Sequence, residues 1–326
     1  MNSVELTIAV GPYDHARDLL EGLVQADGIR LTPLHLPIEE TFYRFMKFRE
    51  WHVSEISFGK YVALCAGDDC PFVALPVFPS RVFRQSSLYV RSDSPLSAPA
   101  QLRGRRVGVP EWAQTAAIYT RGWLSAGVGI PLNEIEWTQA GVLEAGREEK
   151  VALQLPAGLR LTRRSDKSLR ELLLAGELDA VMSARPPLRE GDAIRRLFTD
   201  YEPQERDYYA KTRIFPIMHV IALRRDVYER HPWTAMNLLR AFEESKARSL
   251  DRLRDLTASH YPLPWMPTYL QRIQELFGDD PWPYGIEANR PTLEAFTTYA
   301  WEQGVTRRRL APEELFPPEV RSRHRV

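Results

Sequence analysis

The chain has 326 residues, 44% hydrophobic and 26% charged, with 43 lysines and arginines against 43 aspartates and glutamates. That length exceeds one simple core and suits two α/β lobes, and the ordinary composition excludes a largely disordered chain. Net neutrality leaves no basic stripe for nucleic acid or an anionic membrane surface, so an anionic ligand has to be held by individually placed arginines.

The opening residues Met1-Asn2-Ser3-Val4-Glu5-Leu6-Thr7 run straight into a strand pattern. They lack the basic segment, apolar stretch and cleavage site of an export signal. No apolar run is long enough for a bilayer, and Cys65 and Cys70 are too few for a disulfide framework. A cytoplasmic protein is expected.

Residues 4–10 alternate apolar and polar and predict a first strand, broken by Gly11-Pro12-Tyr13-Asp14-His15. Leu19, Leu20 and Leu23 then predict a helix, and residues 29–36 a second strand. Residues 39–49 carry Phe42, Phe45, Met46 and Phe48 at helical spacing. This β-α-β order implies parallel pairing through a crossover helix. Residues 53–58, 72–77 and 87–90 continue the strands, up to the Ser/Pro-rich connection Ser92-Asp93-Ser94-Pro95-Leu96-Ser97-Ala98-Pro99.

A second α/β series opens with a strand at 106–110 and a helix through Thr115, Ala116, Ile118, Tyr119 and Trp123. Further strands are expected at 135–137, 151–155 and Ala180–Met182, with Leu169–Leu174 a helix stopped at Gly176. Residues 214–223 read as the strand leading back, 233–253 as a long helix, and Pro291 and Gly304 bound a last one. The tail after Val320, with Arg321, Arg323, His324 and Arg325, reads as solvated.

The expected fold is therefore α/β and two-lobed, with a ligand cleft between hinged lobes and C-terminal helices on the first lobe. Residues 1–92 and 213–326 form lobe 1, and 93–212 form the inserted lobe 2. Trp282, Tyr284, Tyr299 and Trp301 pack either on this lobe or on a second copy in a homo-oligomer.

Several segments could carry chemistry. Ser80, Arg81, Arg84 and Ser86 follow a buried strand, and a guanidinium grips a carboxylate in a bidentate fork; a solvated loop pairing surface acids would read the same. Glu111, Gln114 and Thr115 join a strand to a helix whose free N–H groups attract anions; an ordinary capped helix is the alternative. His219 lies inside an apolar strand, as a satisfied core residue or, beside a cleft, as a proton-transfer group. Glu55, in another apolar strand, needs either an arginine mate or a task. Asp14 follows the first strand, where α/β proteins present ligand-binding side chains, and could equally cap the next helix. The seven histidines show no metal-ligand spacing, and there is no nucleotide-binding glycine motif. No metal and no cofactor are expected.

Cys70-Pro71-Phe72-Val73-Ala74-Leu75-Pro76-Val77-Phe78-Pro79-Ser80-Arg81-Val82-Phe83-Arg84, Arg106-Val107-Gly108-Val109-Pro110-Glu111, Phe215-Pro216-Ile217-Met218-His219 and Pro283-Tyr284-Gly285-Ile286-Glu287-Ala288-Asn289-Arg290 together resemble the 4,5-dihydroxyphthalate decarboxylase family. The resemblance runs from Leu6 to Val320 and implies a type II periplasmic-binding-protein-like fold. It implies a carboxy-lyase of phthalate degradation and aromatic catabolism that turns 4,5-dihydroxyphthalate into protocatechuate without redox chemistry. In that reading Arg81 and Arg84 hold the carboxylates of a small aromatic dicarboxylate, with Ser80, Ser86, Gln114 and Thr115 as further donors. His219 protonates the ring, and Glu55 or Asp14 orients it or assists deprotonation of the phenol. A non-enzymatic solute-binding protein for an aromatic or dicarboxylic acid is the competing expectation.

Overall fold

A computed structural model describes residues 3–258 and 260–321. Arg321 is exposed, while Arg323, His324 and Arg325 lie outside the described residues. The chain opens with β1 (Val4–Ala9), α1 (Asp14–Leu20), β2 (Ile29–Leu34), α2 (Ile38–Phe48) and β3 (Val53–Ser57). Then come α3 (Phe58–Cys65), β4 (Phe72–Leu75), β5 (Leu88–Arg91), β6 (Arg106–Val109), α4 (Thr115–Gly122), β7 (Glu136–Gln139) and β8 (Arg160–Arg163). They are followed by α5 (Leu169–Leu174), β9 (Ala180–Met182), β10 (Ile194–Arg196), α6 (Glu202–Thr212) and β11 (His219–Arg224). The last elements are α7 (Arg225–Arg230), α8 (Thr234–Arg254), α9 (Met266–Phe277) and α10 (Arg290–Glu302).

The strands form a 5-stranded sheet in the order β2-β1-β3-β11-β4 and a 6-stranded sheet in the order β10-β5-β9-β6-β7-β8. β1 pairs in parallel with β2 and β3, as crossover helices require. β11 returns late in the chain and runs antiparallel between β3 and β4. Local chemistry explains the punctuation. Ser168 and Glu171 form a reciprocal capping box that starts α5. Gly176, at φ 71°, then turns the chain toward β9.

Three expectations shift. The run 53–58 is a strand only to Ser57, and Phe58 begins α3 without any loop. Residues 151–155 form no ladder: Val151, Leu153 and Leu155 pack on the main core, Gln154 donates to the Gly304 carbonyl, and β8 takes the sheet edge. The returning strand begins at His219, with Ile217 making only an isolated bridge to Arg81. In addition, Leu88–Arg91 precedes the boundary expected at residue 93 yet pairs with β9 and β10 in the second sheet.

The chain crosses between the sheets twice, and the crossings lie side by side. Val82 N–H donates to the Pro216 carbonyl and Met218 N–H to the Ser80 carbonyl. One hydrophobic core joins both sheets, while Tyr89, Leu169, Leu172, Leu173 and Val181 gather in a smaller cluster. Among the described residues no helix is long and apolar enough to cross a membrane. Tyr284 is buried and Trp282 donates to the Phe78 carbonyl at 2.8 Å, so both pack within the chain; Trp301 stays exposed.

The second sheet is fastened to the C-terminal helix through α4. Arg121, fully buried, stacks on Trp112 at 3.7 Å and donates to Gln303 Oε1 at 2.8 Å and the Trp112 carbonyl at 2.5 Å. Trp112 Nε1 in turn donates to the Gln303 carbonyl at 2.8 Å, and Gln303 Nε2 to the Ile118 carbonyl at 2.9 Å. At Gly122 an added Cβ would sit 2.2 Å from the Tyr299 ring of α10. Gly122→Ala is therefore expected to destabilise the fold by about 1–3 kcal/mol through overpacking, read as a lower urea midpoint; an unchanged midpoint would show that α10 yields freely.

Candidate functional site

β3 is buried along its length, which makes Glu55 a carboxylate in the middle of an apolar strand. An unpartnered charge there would be prohibitive. Three donors meet it. Gly11 N–H donates to Oε2 at 2.9 Å, Tyr13 Oη donates to Oε1 at 2.6 Å, and His219 Nδ1 lies 2.6 Å from Oε1.

Each donor arrives for a local reason. β1 ends at Ala9, and the next residues turn beside β3. A Cβ on Gly11 would press to 2.7 Å from the Tyr13 ring and 3.3 Å from Glu55 Oε2, so glycine lets the backbone reach the carboxylate. Tyr13 is the residue just before α1, which aims its ring back over the strand ends. In the antiparallel β3–β11 ladder Ile221 faces Glu55 and His219 faces Ser57, so His219 reaches Glu55 along the diagonal on one face.

The carboxylate accepts the Nδ1 proton and so fixes the histidine tautomer, leaving Nε2 free for another partner. The His219 side chain is 22% exposed, and Phe42 from α2 packs edge-on against it at 4.8 Å. Burial, and then the neighbouring Glu55 charge, push the Tyr13 phenol well above its ordinary range, so it remains a donor. Ser80 joins this region through its backbone, its carbonyl accepting from Met218 N–H at 2.8 Å and His219 N–H at 3.4 Å. A chain of hydrogen bonds thus runs Tyr13, Glu55, His219.

Thr115, at the start of α4, meets this face from the other sheet. Its Oγ1 accepts Gly59 N–H at 2.8 Å and lies 3.1 Å from Ser57 Oγ. Gln114 precedes it, and its Oε1 is buried without a hydrogen-bond partner among the described residues.

The arginines separate. Arg81, 4% exposed, donates to the carbonyls of Phe215 at 3.1 Å and Pro283 at 2.7 Å and to Asn289 Oδ1. It ties the first crossing to the segment before α10, its fork is occupied, and the structure does not bring it to the Glu55 group. Arg84 is different. Its Nε touches Met218 Sδ at 3.2 Å, and no carboxylate among the described residues forms an ion pair with it; Glu205 is felt only electrostatically. Burial pulls its guanidinium down to about 10. A half-buried cation without a counter-ion invites an anion. Ser86 lies alongside, its N–H donating to Glu205 Oε1 at 3.2 Å and its carbonyl accepting from Arg196.

Two other expectations are corrected. Asp14 turns away from His219 and accepts from Ser249 Oγ and Tyr261 Oη, both at 2.5 Å, and from Arg252, binding α1 to α8. It therefore neither orients His219 nor caps α1 through its side chain. Glu111, 1% exposed, is closed in a pair of ion contacts with Lys60 at 3.0 Å and Arg147 at 2.7 Å. Burial works against its charge, yet the two cations hold its carboxyl below the usual range, and its charge is already matched within the protein.

Tyr13 and Ser57 are the residues that local reading missed. The signal for Tyr13 was its place directly after the first strand. Beside it, burial lowers the His15 imidazole to about 4, which keeps it neutral against Trp282 and Tyr284. Among the described residues no three His, Cys, Asp or Glu side chains gather as a metal site. The depressions lined by Arg106, Glu136 and Arg160, and by Arg91, Asp93 and Asp179, share no residue with the Glu55 group.

A Comamonas testosteroni protein named 4,5-dihydroxyphthalate decarboxylase is 37% identical over 322 residues, 98% of this chain and 98% of its own. A Pseudomonas putida protein of the same name is 36% identical over 213 residues, 64% of this chain and 83% of its own. No family model matches. The periplasmic aliphatic sulphonate binding protein SsuA from Escherichia coli superposes with a TM-score of 0.53 at 14% identity, covering 98% of this chain and 99% of that one. The alkanesulfonate-binding SsuA from Xanthomonas axonopodis pv. citri gives 0.51 at 13%, covering 97% and 99%. At such identities the likeness is one of fold, the two-lobed fold of periplasmic binding proteins.

Proposed function

The chain belongs to the family of 4,5-dihydroxyphthalate decarboxylases, and from that premise we propose how its residues remove one carboxyl group of 4,5-dihydroxyphthalate as carbon dioxide. The product is protocatechuate and the enzyme a carboxy-lyase. Each carboxyl of the substrate stands para to a hydroxyl, so the ring itself supplies the electrons. Protonation at the carbon bearing the departing carboxylate interrupts aromaticity, and loss of carbon dioxide restores it. One proton is consumed per turnover and no electrons are transferred.

The observation that carries the assignment is the Glu55–His219 contact at 2.6 Å. With Nδ1–H held by a buried carboxylate, the ring is fixed in place and its Nε2–H serves the ligand as the proton donor. Water then returns the proton to Nε2. Tyr13 and Gly11 N–H keep Glu55 in place. The carboxylate that stays on the ring is held by Arg84, the half-buried cation without an ion pair among the described residues. Thr115, 3.1 Å from Ser57, and Gln114, whose Oε1 has no partner among the described residues, supply further polar groups from the other sheet.

Incubation of the purified protein with 4,5-dihydroxyphthalate should release carbon dioxide and protocatechuate in equal amounts. Tight binding with no product would instead mark a solute-binding protein. Arg84→Met should raise KM by about 30–100-fold, the loss of a charge-assisted contact of about 2–3 kcal/mol, and change kcat less; an unchanged KM removes Arg84 from the site.

A further inference from the structure

α3 begins at the Ser57–Gly59 junction of the site and ends at Cys65; the chain then turns through Gly67, Asp68 and Asp69 to Cys70, just ahead of β4. The two sulfurs are 3.4 Å apart, Cys65 donating to Cys70, and Cys70 is also 3.4 Å from the Phe72 carbonyl. Neither belongs to the hydrogen-bonded group around Glu55. Cys65 is partly exposed and Cys70 buried, so a reagent reaches the first and meets the second only through it. Arg225 Nε donates to the Cys70 carbonyl at 2.6 Å and brings a positive charge beside the pair.

We propose that Cys65 and Cys70 are a modification site, forming a reversible intrachain disulfide by exchange with a glutathione-type disulfide. Cys65 sulfur attacks the glutathione disulfide, forming a protein–glutathione bond and releasing one glutathione thiol. Cys70 sulfur then attacks Cys65 sulfur, closing the protein disulfide and releasing the second glutathione. Two protein thiols are oxidised and one glutathione disulfide is reduced to two thiols. Cys65 donates its S–H to Cys70 and is itself pushed up, by that contact and then by burial, so its attack is the slow step; Arg225 favours a thiolate at both sulfurs. A disulfide needs the sulfurs at about 2.05 Å, so they close by little more than an ångström, a shift that the short turn between them can absorb.

The test treats the native full-length protein with oxidised glutathione, then counts free thiols and measures intact mass. Both thiols should disappear together, with a mass loss of about two hydrogens and no retained glutathione, and dithiothreitol should restore them. In Cys70→Ser the same treatment should leave one stable glutathione on Cys65. The proposal is overturned if the wild type keeps both thiols, or carries a lasting glutathione on Cys65 while Cys70 stays reduced.

Discussion

Glu55→Gln is expected to lower kcat by about 10²–10⁴-fold while leaving KM for 4,5-dihydroxyphthalate within a few-fold. The carboxylate accepts from Gly11 N–H, Tyr13 Oη and His219 Nδ1 at 2.9, 2.6 and 2.6 Å. An amide of the same shape offers one acceptor oxygen and one NH2 group. Wherever the NH2 lands, it faces a donor, and Nδ1–H of His219 loses the charged acceptor that aims Nε2–H at the ligand. Replacing the carboxylate partner of a catalytic histidine by its amide costs about 10⁴ in rate in a serine protease without moving the residues. Leaving one buried donor unmatched should also destabilise the fold by about 1–3 kcal/mol. Steady-state kinetics with a urea melt separates the two effects. Wild-type turnover in a folded Glu55→Gln would remove the carboxylate from the reaction.

His219→Ala should be comparably damaging, with kcat reduced about 10²–10⁴-fold, the range of a positioned proton donor. Equilibrium binding of the substrate should change little, because Arg84 carries the anchoring charge. Added imidazole, entering the space beside Phe42, should recover part of the rate. Full turnover without the side chain, or a loss confined to binding, would assign the proton to another group. The variants also differ in their use: the alanine tests the donor itself, the glutamine tests what aims it.

Much of the fold was legible because it is written in local periodicity. The alternation of β1, the aromatic spacing of α2 and the glycine stop after α5 all survive into the structure. α3 was hidden because an apolar strand passes into an apolar helix without a breaker between Ser57 and Phe58. Glu55 and His219 stood out in sequence as polar groups inside apolar strands, and the ladder joins them. Arg81 and Arg84 could not be told apart locally. They differ only because Pro283 and Asn289, far along the chain, occupy the first and leave the second without a partner of opposite charge. Asp14 was misplaced for the same reason: α8, which claims it, is remote in sequence.

The fastening of α4 to α10 bears on biosynthesis. A ribosome completes Trp112 and Arg121 long before it reaches Gln303 and Tyr299. Until then the guanidinium lacks its Gln303 acceptor, the Trp112 indole lacks its carbonyl, and the Gly122 notch is empty. The second sheet therefore emerges with an unfinished flank, and its final docking waits until α10 has been made. A chain cut short before α10 loses more than a terminal helix, because the missing piece is the one that closes the middle of the molecule.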